Sequence, residues 1–299
     1  MNENTIAVFS VASDLAGNIP GTAEAPAYLC RHLAPSDSLM WSNILHLNPA
    51  LVAEPVINQL TPVFRQLATD VYNCVSVDRR FITIGGDHSV ALASWSGVSK
   101  SLREQGEPWA LIWIDAHLDI HTFETSHTKN IHGMPVAGLL GQDRALMDMV
   151  NLSSAALQPE QIFYVGVRSF EAEEKQLVES LGCHVYDMPA VHARGIDSVI
   201  EEISQHLSAQ GIYKIGMSID IDALDPTVAS AVTVPEDDGL LLPQIVDLIA
   251  RLGDDFQMIG ADLVEYCPDR DQDQQSLRCI QNILNEIVRV TLLGKKNQF

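Results

Sequence analysis

ALIWIDAHLD, residues 110–119, joins a continuous apolar run to a cluster of side-chain types that bind metal ions. Two other stretches have the same construction, FITIGGDHS at 81–89 and KIGMSIDID at 214–222. Short apolar runs are typical of strands that are covered on both faces of a parallel sheet. Because ligands bind at the carboxyl ends of strands in open α/β sheets, we expect the three clusters to meet at one edge of the sheet.

The rest of the chain alternates between strand-like and helix-like segments. Further strand-like runs occur at 5–11, 162–167, 184–187 and 256–264. Apolar residues recur with helical spacing at 50–75, 90–105, 171–182, 196–210, 241–253 and 275–293. Such alternation predicts an α/β fold, in which helices cover both faces of a parallel sheet.

The aspartates and histidines of the three clusters are the candidate metal ligands, namely His88, Asp115, His117, Asp119, Asp220 and Asp222. Residues i and i+2 of a strand point to the same side, so the spacing within each Asp cluster aligns its ligands if the chain stays extended. A lone Asp after a strand is more often a turn or helix-cap residue, and we interpret Asp87 as orienting a loop and Asp225 as starting the turn of LDPT at 224–227. Clustered carboxylates beside a histidine are costly without a cation, which favours a metal site.

The chemistry of these side chains narrows the choice of metal. Carboxylate-rich sites with a minority of imidazole suit Mn²⁺, with Fe²⁺, Co²⁺ or Ni²⁺ as alternatives. No cysteine lies in the clusters, which argues against a structural zinc site. Four carboxylates and two imidazoles are enough for two divalent cations, and such pairs of ions activate water for hydrolysis near neutral pH.

The composition excludes several classes of protein. The chain of 299 residues has 39 acidic and 18 basic residues and a net charge of −21, which opposes nucleic-acid binding but suits a cationic substrate. Its 5 cysteines are scattered without a CxxC motif, as expected for reduced thiols in the cytoplasm. We find neither a secretory signal nor an apolar run long enough for a membrane span, so we expect a cytoplasmic protein without a membrane partner.

Five motifs, taken in order, resemble those of the ureohydrolase superfamily, which includes arginases, agmatinases and formiminoglutamases. They are GGDHS (85–89), DAHLDIHT (115–122), NIHGMP (130–135), SIDIDALDP (218–226) and the Glu of DLVEYCPDRD (262–271). Bacterial arginases look most similar, through the stretches 124–141 and 164–175. The resemblance implies a single metallohydrolase domain over 1–299, with a three-layer α/β/α architecture around a mostly parallel central sheet of about eight strands.

The resemblance also implies roles for individual residues. The six candidate ligands would hold two Mn²⁺ ions, and Asp119 would count among the catalytic residues as well. His132 matches a proton-shuttling histidine, and Glu265 matches the carboxylate that pairs with the guanidinium group of the substrate. Without the resemblance, His132 could equally be a loop histidine, and Glu265 would more often be a surface carboxylate at a strand end. A homo-oligomer, trimeric or hexameric, is implied too.

Four positions depart from the arginase pattern and bear on substrate choice. Arginases usually have Asn, Ser and Asp where this chain has His121, Thr128 and Glu171. The resemblance implies that these three positions bind the amino-acid end of the substrate. Val234 replaces a hydroxyl residue in the loop 231–240. Our main hypothesis is an arginase that converts L-arginine to L-ornithine and urea. The alternatives are an agmatinase, a guanidinobutyrase or a formiminoglutamase, and, outside enzymes, a metal-stabilised binding or scaffold protein.

Overall fold

Eight parallel strands form one sheet in the computed structural model, which describes residues 5–33 and 36–293. In chain order they are β1 (Ile6–Ala12), β2 (Leu39–His46), β3 (Phe81–Ile84), β4 (Trp109–Ile114), β5 (Ile162–Val165), β6 (His184–Tyr186), β7 (Lys214–Asp220) and β8 (Gln257–Val264). Their spatial order is β2-β1-β3-β8-β7-β4-β5-β6, and every neighbouring pair is parallel. The predicted α/β class and the number of strands are confirmed.

Helices cover both faces of this sheet. They are α1 (Ala25–His32), α2 (Val56–Val75), α3 (Val90–Gln105), α4 (Pro135–Leu139), α5 (Arg144–Met149), α6 (Ala172–Leu181), α7 (Met188–Ala209), α8 (Leu242–Asp255) and α9 (Gln275–Leu293). Successive side chains of a strand point to opposite faces, and those of β1 accordingly divide between two apolar cores. Helices α1, α7, α8 and α9 contribute to one core, and α2, α3, α4 and α5 contribute to the other, which gives three layers.

Some element boundaries differ from the sequence-based prediction. Strand β2 was not predicted, because it lies at the edge of the sheet and is largely exposed, so it has no continuous apolar run. Helix α2 begins at Val56 instead of residue 50, directly after Pro55. Helix α7 begins at Met188, where Asp187 caps it by accepting from the amide of Ala190. It is broken at Gly195 (φ 78°, ψ 153°), and the segment predicted at 196–210 follows this break.

The central strands bring the three clusters together. Strands β3, β8, β7 and β4 are consecutive neighbours, and His88, Glu265, Asp220 and Asp115 lie at or just beyond their respective carboxyl ends. This shared edge is where a parallel α/β sheet normally binds its ligand. Among residues 5–33 and 36–293, no helix is both long enough and apolar enough to span a membrane.

The contact between β7 and α3 allows a test of the fold. A Cβ atom at Gly216 would lie 2.3 Å from the indole ring of Trp95, which is completely buried. We expect Gly216→Ala to lower the free energy of unfolding by about 1–3 kcal/mol, because the core has no room for the methyl group. Urea denaturation measures this loss. Gly133→Ala is the control, since a Cβ there meets no atom within 4 Å, and equal stability of the two variants would contradict the packing.

Candidate active site

His88 lies at the centre of a buried group of carboxylates. Its Nδ1 atom is 3.0 Å from Asp115 Oδ2, 3.1 Å from Asp119 Oδ2 and 3.0 Å from Asp220 Oδ2. Burial and the charge of Asp115 raise the pKa of Asp119 to about 7, which reflects the excess of negative charge in this group. A cation between these atoms would remove that repulsion.

The second ring nitrogen of His88 shows which nitrogen is free to bind a cation. Its Nε2 atom lies 2.9 Å from the hydroxyl of Ser218, and that hydroxyl donates to Asp262 at 2.6 Å. Since the Ser218 proton is used, Nε2–H of His88 must be the donor in this pair. The buried Nδ1 atom is therefore the ring nitrogen that faces the three carboxylates and is available to a cation in place of a proton. This donor set fits a divalent metal ion.

A second group of candidate ligands shares Asp115 with the first. His117 Nδ1 is 3.4 Å from Asp115 Oδ1 and 3.3 Å from Asp222 Oδ2. Ligand atoms of His88, Asp115 and Asp119 lie within 4.8 Å of one another, and so do ligand atoms of Asp115, His117 and Asp222. The two oxygens of Asp115 face different histidines, so the structure offers two adjacent cation positions joined by one carboxylate.

The backbone reaches this arrangement by a different route from the one expected. Strand β4 ends at Ile114, and the chain bends after it, with Asp119 in the left-handed region at φ 49°. Asp222 lies in a short 3₁₀ turn after β7, and its amide donates to Asp220 Oδ1. The expectation that these ligands align along extended strands was therefore wrong, although the residues do converge. A non-glycine residue at positive φ is strained, and such strain often occurs at functional sites.

Asp87 and Asp225 hold loops through hydrogen bonds, in agreement with their interpretation as structural residues. The carboxylate of Asp87 accepts from the amides of Ala16 and Ser89. The carboxylate of Asp225 accepts from the amides of Thr227 and Gly239. Both loops border the candidate site.

Glu265 connects the ligand cluster to His132. Its Oε1 atom accepts from the amide of His88 at 2.9 Å and lies 3.2 Å from His132 Nδ1. Its Oε2 atom accepts from the hydroxyl of Thr233 at 2.8 Å. Burial lowers the pKa of His132, but the hydrogen bond and the charge of Glu265 raise it by more, to about 9. Glu265 therefore favours the protonated form of His132, which can act as a proton donor.

Thr233 was missed by the sequence analysis, which noted only that Val234 replaces a hydroxyl residue. In the structure, Thr233, the residue before Val234, donates a hydrogen bond from its hydroxyl to Glu265. A contact between residues 233 and 265 leaves no local signal in the sequence, so only the position of Thr233 in the loop 231–240 could have pointed to it.

A cavity of about 330 Å³ leads from the ligand cluster to the surface. Besides candidate ligands, it is lined by Asn18, His121, Ser126, Thr128, Asn130, His132, Ser169, Phe170, Glu171, Glu174, Thr233, Val234 and Glu265. All four positions that depart from the arginase pattern are in this set. Among the described residues that line the cavity, none is a lysine or an arginine.

His121 is engaged by acidic neighbours at the mouth of the cavity. Its Nε2 atom contacts Glu171 and lies 3.4 Å from Glu174, and its Nδ1 atom is 3.0 Å from the hydroxyl of Thr125. Glu174, whose carboxylate also accepts from the amide of Glu171, was not among the residues predicted from the sequence. Its position three residues after Glu171, at the start of α6, was the available signal, since an acidic residue there commonly caps a helix.

The chain is similar in sequence to known arginases. The model of the Arginase family matches residues 4–289. The chain is 34% identical to the arginase of Bacillus caldovelox over 69% of this chain and 68% of the relative. It is 32% identical to the arginase of Bacillus subtilis (strain 168) over 80% of this chain and 77% of the relative. The match to the arginase of Coccidioides immitis (strain RS) spans 64% of that relative, which is less than two thirds of its length.

Solved structures of arginases have the same fold. The crystal structure from Bacillus subtilis subsp. subtilis str. 168 superposes with a TM-score of 0.84 at 28% identity, and covers 98% of this chain and 99% of that one. The Bacillus caldovelox structure gives a TM-score of 0.85 at 26% identity, with 99% and 100% covered. From the family match over residues 4–289 and the agreement in fold, the chain belongs to the arginase family.

Proposed function

We propose that the protein is a metal-dependent ureohydrolase, which cleaves a small cationic guanidino substrate into urea and an amine. L-Arginine, giving L-ornithine, is the main candidate substrate. One observation carries the proposal: the Nδ1 atom of His88 faces three buried carboxylates at the base of the cavity that Glu265 and His132 also line. A scaffold protein without turnover has no need for an acid and a guanidinium-binding carboxylate beside such a cluster.

The proposed cofactor is a pair of Mn²⁺ ions. His88, Asp119 and Asp220 would hold one ion, His117 and Asp222 the other, and Asp115 would contact both. When bound, such ions would lower the pKa of a water molecule and stabilise the negative charge that develops during its addition. Carboxylate oxygens in the majority, with one imidazole for each ion, are the ligands that favour Mn²⁺ over softer metals.

Glu265 and His132 have separate roles in the proposed reaction. The Glu265 carboxylate binds the planar guanidinium group, which is well suited to a carboxylate acceptor. The oxygen of water adds to the guanidinium carbon, and the bond from this carbon to the substrate nitrogen breaks. His132 gives one proton to that nitrogen, which leaves as an amine, while the carbon with its oxygen and two remaining nitrogens leaves as urea. Of the two protons that the water loses, one converts the amine to an ammonium group and the other returns to His132. Because Glu265 favours the protonated form of His132, one carboxylate serves both binding and acid catalysis.

A second candidate is a guanidine without an α-carboxylate, such as agmatine. The described lining of the cavity has no lysine or arginine to bind a carboxylate, and the imidazole of His121 already contacts Glu171. Glu171 and Glu174 add negative charge at the mouth, which attracts a cationic end group more than a carboxylate. Thr128 and Asn130 are among the neutral donors in this lining that could bind the amino-acid end of L-arginine.

A substrate panel distinguishes these candidates. The Mn²⁺-loaded protein would be assayed for urea release from L-arginine, agmatine and guanidinobutyrate, and for formamide release from formiminoglutamate. We expect the highest kcat/KM for L-arginine. A higher value for agmatine or guanidinobutyrate would move the assignment to that guanidine, and release of product from none of the four compounds would contradict a ureohydrolase.

The His121–Glu171 contact gives a prediction about specificity. Since His121 and Glu171 contact each other, we expect the double variant His121→Asn/Glu171→Asp, which restores the usual arginase pair, to raise kcat/KM for L-arginine. One regained charge-assisted hydrogen bond contributes about 1.5–3 kcal/mol, or roughly one to two decades in kcat/KM. Steady-state kinetics with L-arginine and agmatine measure the change. A fall in kcat/KM for L-arginine would mean that His121 and Glu171 already bind its amino-acid end.

The assembly and compartment are further proposals, supported by the resemblance to arginases. We propose a homo-oligomer, trimeric or hexameric, that works in the cytoplasm on a small-molecule substrate. Light scattering on the eluting protein measures its mass, and a monomer at micromolar concentration would contradict the first part.

A further inference from the structure

The carboxylate of Glu236, in the loop 231–240, lies near the second group of candidate ligands, on the Nε2 side of His117. Glu236 Oε1 is 3.8 Å from His117 Nε2 and accepts a hydrogen bond from the hydroxyl of Ser169 at 3.0 Å. About a third of the Glu236 side chain is exposed, so it approaches His117 from the solvent side, opposite Asp115 and Asp222.

The backbone around Glu236 is fixed to the candidate site. The guanidinium of Arg168 donates to the carbonyl oxygens of Glu236 at 2.8 Å, Asp237 at 2.9 Å and Asp222 at 2.7 Å. Arg168 thus joins this loop to a candidate metal ligand. The position of the Glu236 carboxylate is therefore set by several hydrogen bonds and is not that of a freely moving surface side chain.

The two candidate histidines can be compared by the partner of the ring nitrogen, Nε2, that points away from the other candidate ligands. Behind His88, the Nε2–H group donates to Ser218, which is in turn bonded to Asp262. Behind His117, Glu236 is the nearest carboxylate to Nε2. A histidine that binds a metal through one nitrogen usually donates its other N–H to a carboxylate or carbonyl, which fixes the tautomer and the ring orientation. A cation on Nδ1 of His117 would leave that N–H pointing towards Glu236.

We propose that Glu236 is a positioning residue for His117, and that it sets the affinity of the cation held by His117 and Asp222 without affecting the cation beside His88. At 3.8 Å the pair is too long for a direct hydrogen bond, and a small rotation of the carboxylate or one bridging water would complete it. Ser169 supports Glu236 by holding the same oxygen. The inference rests on the metal centre of the proposed function.

Calorimetric titration of Mn²⁺ into the metal-stripped full chain tests this role, with bound metal per chain measured separately. For Glu236→Ala we expect the Mn²⁺ affinity of one class of site to fall about 10–100-fold, while the affinity of the other class is unchanged. A fall of this size is usual when a metal-binding histidine loses the hydrogen-bond partner of its other nitrogen. Glu236→Gln should fall between this variant and the wild type. Ser169→Ala should weaken the same class by a smaller factor, and should add nothing in the Glu236→Ala background.

Asp237→Asn is the matched control, because it removes one negative charge from the neighbouring, exposed position of the same loop. If it weakens binding as much as Glu236→Gln does, the effect is general electrostatics and the proposal is wrong. Unchanged binding of both ions to Glu236→Ala, or equal weakening of both classes, would also overturn it. A wild-type protein that binds no metal would instead reject the proposed function, so the two failures are distinguishable.

Discussion

Replacing Asp119 by alanine is expected to lower urea release by more than about 100-fold and to reduce the amount of bound metal. Loss of a partner outside the ligand shell already costs 10–100-fold in metal affinity or activity, and a direct ligand should cost more. Asp119 Oδ2 lies 3.1 Å from His88 Nδ1, so its loss removes one of three carboxylates from that cation position. Elemental analysis of the dialysed variant and the urea assay measure the two effects.

The same substitution has a consequence for stability. A ligand that binds the folded state alone stabilises it by an amount that grows with the logarithm of its concentration relative to its Kd. Added Mn²⁺ should therefore raise the melting temperature of the wild type more than that of Asp119→Ala. Asp222→Ala should behave similarly through the second group. Asp269→Ala is the control, since this exposed carboxylate lies four residues beyond Glu265 and outside both groups. Normal metal content and full activity in both ligand variants would remove the dinuclear interpretation.

His132→Asn is expected to lower kcat by roughly 10²–10⁴-fold, the usual contribution of a positioned general acid. This range corresponds to about 2.7–5.4 kcal/mol in the activation barrier. Asparagine keeps a hydrogen-bonding side chain near Glu265 but has no proton to give to the leaving amine. Metal content should stay near that of the wild type, because His132 contacts Glu265 and belongs to neither group of candidate ligands.

His127→Asn is the matched control for this variant. His127 is exposed on the same loop, five residues before His132, and the cavity lining does not include it. Full activity of the control with loss in His132→Asn would separate acid catalysis from a general effect on the loop. If His132→Asn instead loses metal, His132 is a ligand and its assignment as the acid is wrong.

The central strands could be predicted from the sequence because they are buried on both faces. Their apolar runs at 81–86, 110–115 and 214–220 are continuous, and each is followed directly by the candidate ligands. The edge strand β2 gave no such run, since half of its side chains face solvent and alternate irregularly. Burial, and not strand formation itself, is what leaves the strongest pattern in a sequence.

The shape of the site was less predictable than its composition. The spacing of Asp115, His117 and Asp119 suggested an extended chain, whereas a bend and a positive φ at Asp119 bring them together. Contacts such as Thr233 with Glu265 and His121 with Glu174 join residues far apart in the chain. They depend on how the loops pack over the sheet edge, and no local spacing encodes that packing.

Urea release from L-arginine, followed while Mn²⁺ is titrated into the metal-stripped protein, tests the central claim most directly. We expect no urea without metal, and activity that rises with bound metal and saturates at about two ions per chain. Repeating the titration with agmatine and guanidinobutyrate keeps the test independent of the choice of guanidine. Urea release that persists in the metal-free protein under chelator would contradict the account. So would a fully loaded protein that releases urea from none of these substrates.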